Sequence, residues 1–260
     1  MVNRLVFVDA PQKMQKALKD IASSSVLGID TEYDSMRYFR EKLCLVQIAT
    51  ETKVYIFDPL GTIPLVSLGE MFASDWQTKI FHAAENDIRL LKRDYGFTFN
   101  SIFDTQRGAT LLGYSDLSLA RVIEEVLGIK FVKNKSLQRS RWDKRPLSAE
   151  QIEYAGHDVF HLFAIHREFT RKMEEAGVTD AARKSFNSVA QIKWSPRIFD
   201  KDGYTRLAGF ADLTPRQQSR LRGLYQWRFY RAKMLDIAVY RVMSDSELVN
   251  LANGDSADER

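Results

Sequence analysis

Asp30 and Glu32 stand one residue apart at the end of a short apolar run, Val26-Leu27-Gly28-Ile29. In a strand, residues i and i+2 project from the same face, so the two carboxylates point together. Two such groups repel unless a cation sits between them or one keeps its proton. Hard divalent ions such as Mg²⁺ or Mn²⁺ bind through oxygen donors of this kind. The D-x-E pattern is also common, and a strand running into a solvated acidic turn reads the same two residues. The choice depends on whether more acids converge. Three segments offer them. Phe81-His82-Ala83-Ala84-Glu85-Asn86-Asp87 runs from strand to helix with Asp87 in the first turn, and Phe103-Asp104-Thr105-Gln106 repeats that transition. Tyr154-Ala155-Gly156-His157-Asp158 lies inside a long helical pattern. There i and i+4 share a face, so the phenol and the carboxylate reach one site from one wall.

The elements that must position these groups follow from periodicity. Met14, Ala17, Leu18 and Ile21 mark an amphipathic helix over Pro11–Ser23, and Val26–Glu32 follows as a strand. Strands are expected over Lys42–Thr50 and Lys53–Asp58, the latter closed by Asp58-Pro59-Leu60-Gly61, and such early short turns predict an antiparallel meander. Helices over Leu65–Ala73 and Ala84–Tyr95 enclose a short strand at Lys79–His82. Ser101–Thr105 reads as extended, and Asp104–Leu112 and Leu117–Leu127 read as helices, the last stopped by Gly128. Lys133–Arg145 is basic and irregular. Ser148 and Gln151 form a capping-box pair opening one long helix toward Met173. Strands first and alternating helices after them imply an α/β, mixed-sheet domain over 1–175. A helix at Gly177–Gln191 and the Trp194–Gly203 linker belong to a connecting segment over 176–211. A small all-α module over 212–260 takes Leu221, Leu224, Tyr225, Trp227, Leu235 and Val239 as core positions. Its polar end, Asn253–Arg260, is expected to fray.

Composition narrows the setting. The 260 residues are 45% apolar and 28% charged, the balance of a globular protein, with no apolar run long enough to span a bilayer. The single cysteine, Cys44, excludes an internal disulfide and a cysteine-only zinc cluster and fits a reducing, cytoplasmic compartment. The net charge of +4 is concentrated: Arg206, Arg216, Arg220, Arg222, Arg228, Arg231, Lys233 and Arg241 face only Asp212 and Asp236 between Tyr204 and Met243. That surplus fits a polyanionic partner or an Arg-rich solvated helix face. No phosphate-cradling GxxxxGK[ST] or GxGxxG loop is present.

Taken in chain order, these motifs resemble the ribonuclease D branch of the DEDD (DnaQ-like, DEDDy) 3′–5′ exonucleases over about residues 4 to 170. Asp30 and Glu32 match the first motif, Asp87 the second, and Tyr154 with Asp158 the third. Gln47, Asp58-Pro59-Leu60, Asp104-Thr105-Gln106, Trp142 and Arg145-Pro146-Leu147 also fall in family order. The resemblance implies a ribonuclease H-like exonuclease fold and two Mg²⁺ or Mn²⁺ ions. Asp30 would bridge both ions, Glu32 and Asp158 would complete the water-activating site, Asp87 would support the second ion and Tyr154 would orient the attacking water. It also implies release of nucleoside 5′-monophosphates from RNA 3′ ends, as in the maturation of tRNA or other structured RNA. A 3′–5′ exodeoxyribonuclease of the same fold, or a non-catalytic nucleic-acid-binding protein, are the alternatives. A sister branch places a histidine base five residues before the last aspartate. Here Glu153 stands in that place, so His157 is not the base.

Asp104 reads as a helix cap rather than a ligand, Trp142 as a packing anchor and His82 as a hydrogen-bonded histidine at a strand end. Gln47, His82, Lys135, Gln138, Arg139, Arg141, Arg145, Arg220 and Arg228 are the candidate nucleic-acid contacts. Gly156 replaces the alanine frequent in relatives. Leu213-Thr214-Pro215-Arg216-Gln217 through Trp227-Arg228 and Met234–Val242 resemble an HRDC domain, a helical nucleic-acid-binding module, shortened or cut by the end of the sequence. Nothing calls for a membrane or an obligate protein partner.

Overall fold

The computed structural model describes residues 4–130 and 134–254. The chain divides into two compact units, residues 1–33 with 43–194, and residues 34–42 with 195–260.

The first unit is built on a six-stranded sheet. Its elements are β1 (Arg4–Val8), α1 (Pro11–Ala22), β2 (Val26–Asp34), β3 (Lys42–Ala49), β4 (Lys53–Phe57), α2 (Gly69–Ala73), β5 (Thr78–Phe81), α3 (Glu85–Tyr95), β6 (Ile102–Asp104), α4 (Thr105–Leu111), α5 (Leu119–Leu127), α6 (Lys135–Gln138), α7 (Ala149–Phe160), α8 (Leu162–Glu175) and α9 (Thr179–Ala190). The strand order is β1-β4-β3-β2-β5-β6. The sheet is mixed, because β3 and β4 pair antiparallel while β1 runs parallel to β4, and β2, β5 and β6 run parallel to one another.

The expected meander forms, with β2, β3 and β4 side by side in the sheet and β3 and β4 antiparallel, and what the sequence reading lacked is β1. In that strand Leu5 to Val8 pair with Val54 to Phe57 from the far end of the sheet order. Two smaller corrections follow. The long helix breaks at His161 into α7 and α8, and the basic segment expected to be irregular contains the short α6.

Alternation along the strands gives the sheet two buried faces. On one face Leu27, Ile29, Val46, Ile48, Tyr55 and Phe57 pack against Met14, Ala17 and Ile21 of α1 and Ile88 and Leu91 of α3. On the other, Ala49, Val54, Ile56 and Ile80 pack against Val122 and Ile123 of α5, Ala155 and Val159 of α7 and Phe163 of α8. Gly28 is what lets α7 come close. A Cβ there would lie 3.1 Å from the Val159 carbonyl oxygen and 3.4 Å from the Phe163 ring. Gly156 has the same logic, since a Cβ there would strike the Leu5 side chain. Its glycine answers to packing against β1. The capping box at Ser148 and Gln151 forms as expected and fixes where α7 begins.

The second unit is helical: α10 (Pro215–Leu235), α11 (Val239–Val242) and α12 (Asp245–Asn253). Thr214 with Gln217 and Ser244 with Glu247 cap α10 and α12 reciprocally. Leu213, Leu221, Leu248 and Ala252 form its core. Trp227 and Leu235, expected inside, are each 48% exposed. The loop after β2 belongs to this unit, where Phe39 packs edge-on against Phe229 at 5.1 Å. Of the polar tail, residues 255–260 lie outside the described residues. No helix among the described residues is long and apolar enough to cross a membrane.

Candidate active site

β2 delivers Asp30 and Glu32 half-buried on the face that carries α7, the face Gly28 opens to Val159. Just N-terminal to Val159, Tyr154 and Asp158 come down from α7, Asp158 being 5% exposed. Burial first, then the charges of Asp158, Glu32 and Asp30, hold the Tyr154 phenol well above the usual tyrosine range. One hydroxyl thus feels three carboxylates from two elements, as the i, i+2 and i, i+4 spacings require. Its oxygen is buried without a hydrogen-bond partner among the described residues. The ring rests on Trp142, 2% exposed, with centroids 6.0 Å apart, so the expected packing anchor serves the site's own tyrosine.

Asp87 occupies the first turn of α3, where the helix dipole favours a negative charge. It is only 6% exposed, and burial pushes its carboxyl up to about 7 against the opposing hydrogen bond from Thr31, with the charge of Asp104 adding to the rise. Thr31 Oγ1 donates to Asp87 Oδ1. The residue between Asp30 and Glu32 therefore turns to the opposite face of β2 and ties β2 to α3. The sequence reading missed it, although the alternation that pairs Asp30 with Glu32 also places Thr31 on the other side.

Asp104 does what a cap does, and more. Its carboxylate accepts from Gln106 N at 2.9 Å and Arg107 N at 3.2 Å to start α4, and from Ala83 N at 3.1 Å and Ala84 N at 2.9 Å. The last two hold the turn in which Ala83 adopts a left-handed φ of 60°, a costly conformation for a residue with a Cβ. That turn aims α3, and with it Asp87. His82 Nδ1 lies 2.9 Å from Thr105 Oγ1, which itself donates to the Phe81 carbonyl. The hydroxyl must therefore accept from the imidazole, which makes Nδ1 the protonated nitrogen. His157 is exposed, 3.8 Å from Glu153.

The candidate nucleic-acid contacts divide sharply. Arg145 is no free phosphate clamp: Nε and Nη2 grip Asp58 at 2.5 and 2.6 Å, and the other donors reach the carbonyls of Trp142, Lys144 and Cys44. Arg228, 4% exposed, donates to the Met243 carbonyl at 2.9 Å and pairs with Asp245 at 2.8 Å. Arg220 donates to the carbonyls of Ala252 and Gly254 at the end of α12. Gln47 is fully buried and has no surface from which to touch a backbone phosphate. Arg141 is exposed but forms a two-point pair with Asp143 at 2.7 Å. Gln138 and Arg139 are exposed, and the Lys135 side chain lies outside the described residues.

Among the described residues, no three His, Cys, Asp or Glu side chains stand close enough around one point to enclose an ion. The donor chemistry nonetheless fits one. Asp30, Glu32 and Asp158 all act on a single buried hydroxyl that lacks a partner, every donor is oxygen, and such donors suit Mg²⁺ or Mn²⁺ rather than a soft metal.

The chain matches the 3′-5′ exonuclease family over residues 5–174 and the HRDC domain family over residues 217–259. It belongs to the 3′-5′ exonuclease family. It is 33% identical over 218 residues to ribonuclease D of Xanthomonas oryzae, covering 81% of this chain and 57% of that protein. It is 28% identical over 255 residues to the Drosophila melanogaster exosome complex component 10 homolog, covering 95% of this chain and 28% of the relative, so it spans less than a third of that protein's length. The catalytic core of Trypanosoma brucei RRP6 superposes with a TM-score of 0.90 at 24% identity, over 96% of this chain and 70% of that one. The exonuclease family thus covers the sheet unit that carries all five candidate catalytic residues.

Proposed function

We propose that this member of the exonuclease family hydrolyses RNA from its 3′ end and releases nucleoside 5′-monophosphates, acting on structured RNA precursors such as tRNA in the cytoplasm. The observation that supports it best is the convergence on Tyr154, where three carboxylates from β2 and α7 act on one buried phenol. Two Mg²⁺ or Mn²⁺ ions held by Asp30, Glu32, Asp87 and Asp158 would lower the pKa of the attacking water and stabilise the leaving 3′ oxygen. Asp30 shares its face of β2 with Glu32 and acts with Asp158 of α7 on the same phenol, which favours it as the shared ligand. Tyr154 keeps its proton at neutral pH because burial and its acidic neighbours oppose ionisation. It therefore orients the water by donating or accepting a hydrogen bond and does not take the water's proton. Thr31 and the Asp104-clamped turn fix Asp87. The likeness to a ribonuclease D supports RNA as substrate.

The test is digestion of 5′-labelled RNA and DNA, each with a free or a blocked 3′ end, with Mn²⁺ or EDTA. Stepwise, Mn²⁺-dependent shortening of RNA with a free 3′ end is the expected result. Shortening of DNA in preference to RNA would transfer the activity to a deoxyribonuclease. Full activity of an Asp30→Ala variant would sink the two-ion reading.

A further inference from the structure

Gln47 is 0% exposed on β3, and neither its amide nitrogen nor its amide oxygen has a hydrogen-bond partner among the described residues. A buried amide without partners bears the desolvation cost of both its groups, which a hydrophobic residue of the same shape does not. A polar residue kept in such a place calls for a partner.

Its position shows which group that partner is. β2 and β3 are neighbours in the sheet, joined only by residues 35–41. So short a link makes a hairpin, because a parallel crossover needs a dozen residues or more. The register follows from Gly28, whose Cβ would stand 3.6 Å from Ala49 Cβ, making these two opposite on one face. Two residues forward on β2 and two back on β3 set Asp30 opposite Gln47, still on that face. Opposed residues on one face start about 4.5–5.5 Å apart at Cβ, within reach of a glutamine side chain. On its other side Gln47 pairs with Ile56, which packs in the cluster containing Ala155, Val159 and Tyr154 of α7. The unsatisfied amide therefore rises between the Asp30 strand and the helix that carries Tyr154 and Asp158.

We propose that Gln47 is a positioning residue for the shared carboxylate: its Nε2 donates to Asp30 when the acids draw together on a divalent ion. That hydrogen bond satisfies the amide and orients the Asp30 carboxylate toward the ion. Part of the ion's affinity is thereby set by a residue that touches neither ion nor RNA. This role rests on the reading of Asp30, Glu32, Asp87 and Asp158 as ion ligands.

The experiment is thermal melting and calorimetric Mn²⁺ titration of the full chain, comparing wild type with Gln47→Met and, should that variant not fold, Gln47→Leu. Both replacements keep the volume and remove the amide. The expected result is a melting temperature in EDTA equal to or above wild type, with Mn²⁺ binding weakened about 10- to 100-fold, the range seen when an outer-shell partner of a metal ligand is lost. Unchanged Mn²⁺ affinity in a folded variant overturns the proposal and makes Gln47 a packing residue. Absence of Mn²⁺ binding by wild type is a different failure, that of the ion-site reading itself, and an Asp30→Ala control separates the two.

Discussion

Two of the places where the sheet unit buries charge do it in opposite ways. At the end of β2, Asp30, Glu32 and Asp158 are gathered so that each works against ionising the same phenol. At Asp58 acid meets base: its carboxylate takes two hydrogen bonds from Arg145 and one from Leu60 N at 2.9 Å, and the remaining guanidinium donors cap carbonyls. The second arrangement ties β3, β4 and the segment before α7 together and serves the fold. The first does nothing for the fold, since gathered like charges and an unpartnered buried hydroxyl both cost stability. Burial of charge marks function only where the neighbours have the wrong sign to explain it. The comparison predicts that removing a charge at the two places changes activity and stability independently.

The largest effect belongs to Asp30. Asp30→Ala should lower Mn²⁺-dependent RNA trimming by about 10³-fold or more, because it removes the ligand expected to serve both ions. Its melting temperature in EDTA should equal or exceed that of wild type, because one member of a repelling set is gone. A variant that loses activity only by unfolding would erase the distinction drawn above. Arg145→Ala should show the reverse. It leaves Asp58 buried with no cation and should destabilise by about 3–5 kcal/mol, read from the shift in urea midpoint. The fraction that stays folded should retain near-normal trimming per molecule. A specific loss of RNA affinity in folded protein would restore Arg145 as a phosphate contact.

How much of this the sequence announces depends on how far apart the interacting residues are. Asp30 with Glu32 and Tyr154 with Asp158 are neighbours through the periods of strand and helix, so their convergence was readable before any tertiary structure. The capping box at Ser148 and the Asp104 cap of α4 are equally local. The partners of Arg145, Arg220 and Arg228 are set by tertiary packing, and each arginine looked free while only its own segment was considered. β1 went unread for the same reason, because its partner β4 lies some fifty residues away and Met1–Asp9 shows no alternation of its own. Trp227 and Leu235 were assigned inside from type alone, and the helix turned them out. Thr31 is the instructive case: the alternation that identified its neighbours also fixed its face, and only its partner on α3 was hidden.

Tyr154→Phe comes next in size. It removes only the oxygen, so the Trp142 contact and the helix remain. Turnover should fall about 10- to 100-fold while RNA affinity, measured by fluorescence anisotropy in Ca²⁺, stays within a factor of two. Stability in EDTA should rise slightly, since the buried hydroxyl has no partner to lose. An equal loss of turnover and affinity would make Tyr154 a binding residue. That outcome would weaken the claim that the acids around it are there for chemistry.

The smallest effect tests the comparison from a third buried charge that neither site uses. Lys79 on β5 is fully buried, its Nζ donating to the Ser74 carbonyl, and burial lowers its pKa from 10.5 to about 8, with Asp75 opposing the drop. Below pH 8 both folded and unfolded chains carry the proton, and the folded state bears the whole cost of burying it. Between pH 8 and 10.5 the unfolded chain holds a proton that the folded chain has shed, so wild-type stability gains with rising pH relative to a chain without the group. Lys79→Met keeps the length and removes the charge. The shift corresponds to about 3 kcal/mol at most, and loss of the Ser74 hydrogen bond takes back about 1 kcal/mol. The variant should therefore melt a few degrees above wild type at pH 7, with the gap closing as pH approaches 10.5. A gap constant across that range would mean that packing rather than charge sets the difference. A variant less stable at every pH would place Lys79 with Arg145, among charges whose partners more than offset their burial.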